Sequence, residues 1–284
     1  MSKKIAIITD SSAGLTEDVL KEYNIFTSYL MIIFGNDSYQ EFKELTPDKF
    51  VSLSAAQEEL PTTSQPAIGL TVEIYENILK ESYDEIIHIT ISSGLSGSYQ
   101  SAVNAAEMVD AEKIHVFDSK TVAFPQGALA IIASKLAKAG KGATEIISEL
   151  EKAQESMYVS ATVKTLENLK KGGRLSNASA VIGSMLQVKP IIAMSKEGKL
   201  EAVSKVRTFK KAIQALIDTA KEGNLDESYE VGIIHALNPE DAATLKDAVA
   251  ELYPNITIHV LPLSLVVSAH VGEGTIALTW IKTT

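Results

Sequence analysis

The chain contains no cysteine. That excludes disulfides, thiol catalysis and thiolate-held metal, and it fits a reducing compartment. Positive charge is also scarce: 26 Lys and Arg stand against 36 Asp and Glu, for a formal charge of −10. An acidic chain repels phosphate backbones. Its basic stretches are short, Lys170-Lys171 with Arg174 and Lys205-Arg207-Lys210-Lys211, so nucleic acid is not an expected partner. No apolar run approaches the roughly 18 residues that a membrane-spanning helix needs. Near the start, Ile5 to Ile8 is broken by Thr9-Asp10, which is too short for the apolar core of an export signal. The expected location is therefore the cytoplasm. The sequence also lacks a carboxylate pair or a His/Asp/Glu set at metal-ligand spacing, so neither a metal nor another cofactor is expected.

What is present is a chain of 284 residues, 45% apolar and 22% charged. A chain of that length buries a large core without staples, and at about 100–200 residues per domain it suggests two domains. Short apolar runs alternate with amphipathic stretches in the first half. The expected strands are Ile5 to Thr9, Tyr29 to Phe34, Glu85 to Ile91 and Lys113 to Phe117. The expected helices are Thr16 to Tyr23, Pro47 to Ala56, Ile68 to Glu81, Ser98 to Val109, Pro125 to Ala139 and Thr144 to Gln154. Strands alternating with helices predict a mostly parallel sheet.

The second half reads as a smaller α/β layer. It has a strand Met157 to Val163, short helices Leu166 to Lys171 and Ala178 to Leu186, and a hairpin of Lys189 to Met194 with Lys199 to Ser204. A helix Phe209 to Ala220, a strand Glu230 to Ala236, a helix Pro239 to Leu252 and a strand Ile256 to Val260 follow. The fold class is α/β, with expected domains 1–156 and 157–284.

Ligands of parallel sheets gather at the carboxyl ends of strands. Thr9-Asp10-Ser11-Ser12 follows the first strand and reads either as a cleft lining or as turn and cap chemistry. Pro61-Thr62-Thr63-Ser64-Gln65-Pro66 is stiffened by its prolines and could hold the Thr63 hydroxyl as a placed donor, or cap the next helix. Ser92-Ser93-Gly94-Leu95-Ser96-Gly97-Ser98 joins a strand to a helix, where free N–H groups suit an anion. This segment misses the Gly-x-Ser-x-Gly elbow of serine hydrolases by one position, since residue 98 is Ser, and it matches neither phosphate-binding glycine motif.

Lys170-Lys171-Gly172-Gly173-Arg174-Leu175-Ser176 is a solvated helix end or a loop presenting Arg174 to an anion. His270, in Ser268-Ala-His270-Val-Gly-Glu-Gly274, is read as a loop residue, whereas His88, His115, His235 and His259 fall in or at the ends of strands. Hydroxyls with one His and one Arg describe a receptor for an anion better than a catalyst. The alternative is an esterase-like acyl hydrolase using Ser96 and His270.

In Thr9-Asp10-Ser11, Thr62-Thr63-Ser64-Gln65-Pro66, Ser92 to Gly97, Lys171 to Ser176, Lys189-Pro190-Ile191 and His270 to Gly274, the chain resembles the DegV family of bacterial fatty-acid-binding proteins, the FakB components of fatty acid kinase. These stretches lie in order over essentially the whole chain. Glu273 stands where the common pattern has proline.

The resemblance implies a two-domain α/β protein with a tunnel between domains for one long-chain fatty acid, such as palmitate or oleate. It implies a non-enzymatic lipid-binding carrier that presents the carboxylate to a separate kinase catalytic subunit for acyl-phosphate formation, a step toward phospholipid synthesis. Thr63 and Ser96 would bind the carboxylate, with Thr62, Ser93 and His270 in the same polar cluster. Arg174 would face the kinase or the tunnel mouth. A monomer is expected, and transient membrane contact is compatible with that role.

Overall fold

Consecutive apolar side chains are tolerated in a strand only where both faces are covered. Ile5–Asp10 (β1) and Glu85–Thr90 (β6) meet that condition, with every residue buried. A computed structural model describes residues 3–57, 59–176 and 188–283. It divides the chain into two compact units, Met1–Glu155 and Ser156–Thr284.

In the first unit a 3₁₀ turn (Ser11–Ala13) leads from β1 to α1 (Glu17–Tyr23) and β2 (Ile25–Ser28). Next come β3 (Met31–Phe34), β4 (Asp37–Gln40), α2 (Pro47–Ala55), β5 (Thr62–Ser64) and α3 (Ile68–Lys80), which leads to β6. The unit closes with α4 (Ser98–Val109), β7 (Ile114–Asp118), α5 (Phe124–Lys138) and α6 (Ala143–Glu155). Strands β2, β1, β6 and β7 form an all-parallel sheet in that order. Its core includes Ala6, Ile8, Ile86, Tyr75, Ile78 and Ala105. Helix starts follow the sequence signals: Thr16 and Thr46 accept from the N–H groups of Val19 and Lys49, the side-chain caps that such residues supply.

Three elements go beyond the expected order. β2 and β4 are short strands that the sequence reading passed over. β5 falls on the proline-flanked segment, which is not among the expected strands. The prolines favour extended backbone, and here that backbone pairs with β3, placing Thr63 opposite Ile32 at the edge of a small antiparallel sheet, β4-β3-β5.

The second unit runs β8 (Tyr158–Thr162), α7 (Glu167–Lys171), β9 (Lys189–Met194), β10 (Leu200–Val206), α8 (Phe209–Glu222) and β11 (Tyr229–His235). It ends with α9 (Pro239–Leu252), β12 (Thr257–Pro262), α10 (Leu265–Val271) and β13 (Ile276–Lys282). Its mixed sheet has the order β10-β9-β8-β13-β11-β12. The expected helix over Ala178 to Leu186 lies outside the described residues. Both α10 and the central strand β13 are additions to the expected order. The run Ile276 to Ile281 is apolar at nearly every position, and such a run reads as strand or buried helix with equal ease. Trp280 of β13 stacks on Tyr158 of β8 with ring centroids 4.3 Å apart.

Thr162 and Ser160 alternate on β8 opposite Ile276 and Leu278 of β13. Both are fully buried, and their hydroxyls have no hydrogen-bond partner among the described residues. An unpaired buried hydroxyl costs on the order of 1–3 kcal/mol. Thr162→Val, which keeps the shape and removes the hydroxyl, is therefore expected to stabilise by about 1 kcal/mol and to raise the melting temperature by roughly 2–4 °C. Calorimetry showing a lower melting temperature would mean that the hydroxyl is paired in solution.

Candidate functional site

At the carboxyl ends of β1 and β6 the chain places hydroxyls around one buried acid. Asp10 accepts from the Ser12 N–H at 3.1 Å, the Gln126 amide at 3.0 Å and the Ile91 N–H at 2.6 Å, and also from the Ser12 hydroxyl. Burial pushes its carboxyl above the ordinary range, against the downward pull of these donors. Asp10, Ser11 and Ser12 are all buried, and Ser11 Oγ accepts from the Leu30 N–H at 3.1 Å. Turn and cap chemistry thus accounts for Thr9-Asp10-Ser11-Ser12. Asp10→Asn would aim amide hydrogens at existing donors, and it is expected to cost roughly 2 kcal/mol of stability in a urea titration; an unchanged midpoint would refute this bonding.

Beyond Ile91 the Ser92–Ser98 segment turns into α4. Ser92 N–H donates to Thr121 O at 2.9 Å, and Ser92 Oγ accepts from Gly94 N–H at 3.1 Å. Ser93 is tied to β7: its N–H donates to Asp118 Oδ1 at 3.0 Å and its hydroxyl to Asp118 Oδ2. Ser96 Oγ lies 2.9 Å from Ser98 Oγ and accepts from Ser98 N–H at 3.2 Å. Neither partner is a base, so nothing in these contacts activates Ser96 as a nucleophile.

At the start of α4 the N–H groups of Gly97, Tyr99 and Gln100 find no acceptor among the described residues. Three unmet donors at the positive end of a helix dipole, beside the Ser96 hydroxyl, are the kind of groups that suit an anion. The β5 segment reaches this helix start through Gln65. A Cβ on Gly97 would lie 3.2 Å from Gln65 Cδ and closer still to Oε1, so the absence of a side chain at residue 97 lets Gln65 close over the loop. Thr63 is half-buried and Thr62 exposed on the same strand. Ser93, Ser96, the β5 strand and Gln65 are thus gathered in one unit.

The second unit assembles Arg174 and His270. His270 is inside α10, one residue from its end, rather than on the expected loop. The helix is capped by Ser264, whose hydroxyl accepts from Val267 N–H. Burial first, then the Arg174 guanidinium, lowers the His270 pKa to about 4. The ring rests on Gly172: a Cβ there would be 2.8 Å from His270 Nδ1 and 3.1 Å from Asn168 O. Arg174 folds back to donate to Gly172 O. Gly272 and Gly274 both have φ +82°, a conformation that side chains resist. Glu273 between them lies 3.7 Å from Lys164 across an exposed pair, which contributes little to stability.

Asp118 and Asn168 are supporting residues outside the segments that the sequence singles out, whereas Gln65 lies inside one of them with no role assigned to it. Asp118 carried one signal, a carboxylate closing a strand as Asp10 does. Among the described residues no acid, histidine or cysteine cluster could hold a metal, and no helix is long and apolar enough to cross a membrane.

Comparison with known proteins covers the full length. A family model described as "Uncharacterised protein, DegV family" matches residues 4–283. A DegV domain-containing protein of Listeria innocua is 34% identical over 280 residues, 99% of each chain. The crystal structure of a fatty acid binding DegV family protein from Streptococcus agalactiae superposes with TM-score 0.91 at 31% identity, covering all of both chains. That of DegV from Bacillus subtilis, described as a fatty acid binding protein, gives TM-score 0.87 at 36% identity, over 99% of this chain and 100% of that one.

Proposed function

The chain belongs to the DegV family, and we propose that it binds one long-chain fatty acid and presents the carboxylate to a separate fatty acid kinase, without catalysing a reaction itself. The observation that carries this reading is the anion seat of the first unit, Ser96 with the open N–H groups of Gly97, Tyr99 and Gln100. The full-length likeness to proteins described as binding fatty acids supports it.

A carboxylate leaves water only where donors replace its hydration. In this proposal Thr63 and Ser96 are the direct donors, Thr62 and Ser93 flank them, and His270 joins the polar set. Arg174 meets the kinase or guards the ligand's entry. The acyl chain supplies the bulk of the affinity: about a dozen methylenes at roughly 0.8 kcal/mol each give on the order of 10 kcal/mol before ordering costs. The carrier works as a cytoplasmic monomer, with no resident cofactor and with transient contacts to the kinase and the membrane.

Native mass spectrometry after incubation with palmitate or oleate tests the binding half. One fatty acid per chain, lost on denaturation, is expected; failure of both ligands to bind overturns the reading. Ser96→Ala should weaken oleate binding by about tenfold or more, as loss of a hydrogen bond to a charged group does. Acyl-phosphate formation by a DegV-dependent kinase, ATP and loaded carrier tests the second half. No product would leave a binder without the transfer role.

A further inference from the structure

The Ser92–Ser98 segment is gripped from both neighbouring strands by carboxylates. On the β1 side, Asp10 Oδ2 accepts from Ile91 N–H at 2.6 Å, at the residue that follows β6. On the β7 side, Asp118 Oδ1 accepts from Ser93 N–H at 3.0 Å and from Lys120 N–H at 3.0 Å, and Oδ2 takes the Ser93 hydroxyl. Charge alone makes this arrangement unfavourable, since two acids flank a loop whose free N–H groups suit an anion. Hydrogen bonding explains it. Each acid engages a backbone donor at or beside the start of the loop, and the donors left open among the described residues, on Gly97, Tyr99 and Gln100, lie at the helix start.

We propose that Asp118 is a positioning residue, holding the Ser92–Ser98 segment so that Ser96 and the helix-start N–H groups converge on the ligand carboxylate, with Ser93 acting through Asp118 rather than on the ligand. The proposal rests on the fatty-acid reading for its ligand but not for its geometry. It makes a prediction opposite in sign to simple electrostatics. Removing a negative charge beside an anion site should tighten anion binding, whereas releasing the segment should weaken it.

The experiment compares wild-type protein with Asp118→Ala, Asp118→Asn and Ser93→Ala. Hydrogen exchange without ligand is followed over residues 91–99, and oleate affinity is measured by calorimetry. Asp118→Ala should speed exchange across residues 92–98 while peptides of the second unit stay unchanged, and it should weaken oleate binding about tenfold. Asp118→Asn keeps an acceptor for Ser93 N–H and should restore most of the affinity. In the double variant Ser93→Ala should add little to Asp118→Ala, because the two act as one unit.

Unchanged exchange in Asp118→Ala, or oleate binding equal to or tighter than wild type, overturns the proposal. If wild-type protein binds no oleate, the fatty-acid reading fails, and the exchange result alone judges whether Asp118 holds the segment.

Discussion

Lowering the pH from 7 to 4 is expected to strip several kcal/mol of stability from the protein, because it folds around neutral imidazoles. His88 lies in the first unit, 2% exposed, with Nδ1 2.6 Å from the Tyr75 hydroxyl and Nε2 3.3 Å from Ser28 Oγ. Tyr75 donating to Nδ1 leaves a proton on Nε2 for Ser28, so the neutral ring is satisfied at both nitrogens. Burial lowers its pKa to about 3, and His270 in the second unit is lowered to about 4.

Both folded values lie below that of an unfolded histidine, about 6.5. Between the two values the unfolded chain binds more protons, so stability falls as the pH falls. The slope is about 1.4 kcal/mol per pH unit for each imidazole, or roughly 3 kcal/mol each by pH 4. Asp10 works in the opposite direction. Its raised carboxyl takes up a proton in the folded state first and returns part of the loss as the pH falls through its folded value.

A typical domain has about 5–15 kcal/mol in total, so each unit should approach acid unfolding. Trp280 is the only tryptophan and reports the second unit by fluorescence, while hydrogen exchange of β6 peptides reports the first. Urea midpoints that stay level between pH 7 and pH 4.5 by both probes would show that the rings can charge within the fold. In His270→Asn the loss seen by tryptophan should shrink while that seen at β6 persists.

The same residues show where sequence reading succeeds and where it stops. Helices such as Ser98–Val109 and Pro239–Leu252 have the expected bounds, because their starts and their apolar spacing are local properties. β5 was hidden because its partner β3 lies some thirty positions earlier, and nothing within Thr62–Ser64 announces that pairing. The pattern around Gly272 and Gly274 suggests a loop for His270, yet the Ser264 cap and the apolar residues after it start a helix. The candidate hydroxyls could be named from their positions after strands. The acids that hold them could not, since Asp10 reaches 81 positions along the chain to Ile91 and Asp118 reaches 25 back to Ser93.

Substituting Gly172 with alanine should raise the pKa of His270 and weaken fatty-acid binding together. Gly172 has φ −74° and ψ −7°, ordinary helical backbone that any residue adopts, so conformation does not call for glycine there. Space does: a Cβ would sit 2.8 Å from His270 Nδ1 and 3.1 Å from Asn168 O. The carbonyl belongs to the turn that ends α7, where Gly172 N–H donates to Asn168 O at 2.8 Å, so the imidazole is the group that must move.

A ring pushed off its seat gains water, and its pKa should climb from about 4 toward the ordinary value of about 6.5. Ligand should act in the same direction by another route. In the proposed function a carboxylate joins the polar set, and its charge offsets that of Arg174 and favours the imidazolium. Wild-type His270, followed by NMR in histidine-labelled protein, should therefore titrate higher with oleate than without it. In Gly172→Ala the ligand-free value should already be high, and the rise on binding should be smaller. Affinity should drop about tenfold, or about 1.4 kcal/mol. A Gly172→Ala protein whose His270 titrates as in wild type would show that the ring does not depend on this seat. A wild-type His270 indifferent to oleate would remove it from the polar set that binds the carboxylate.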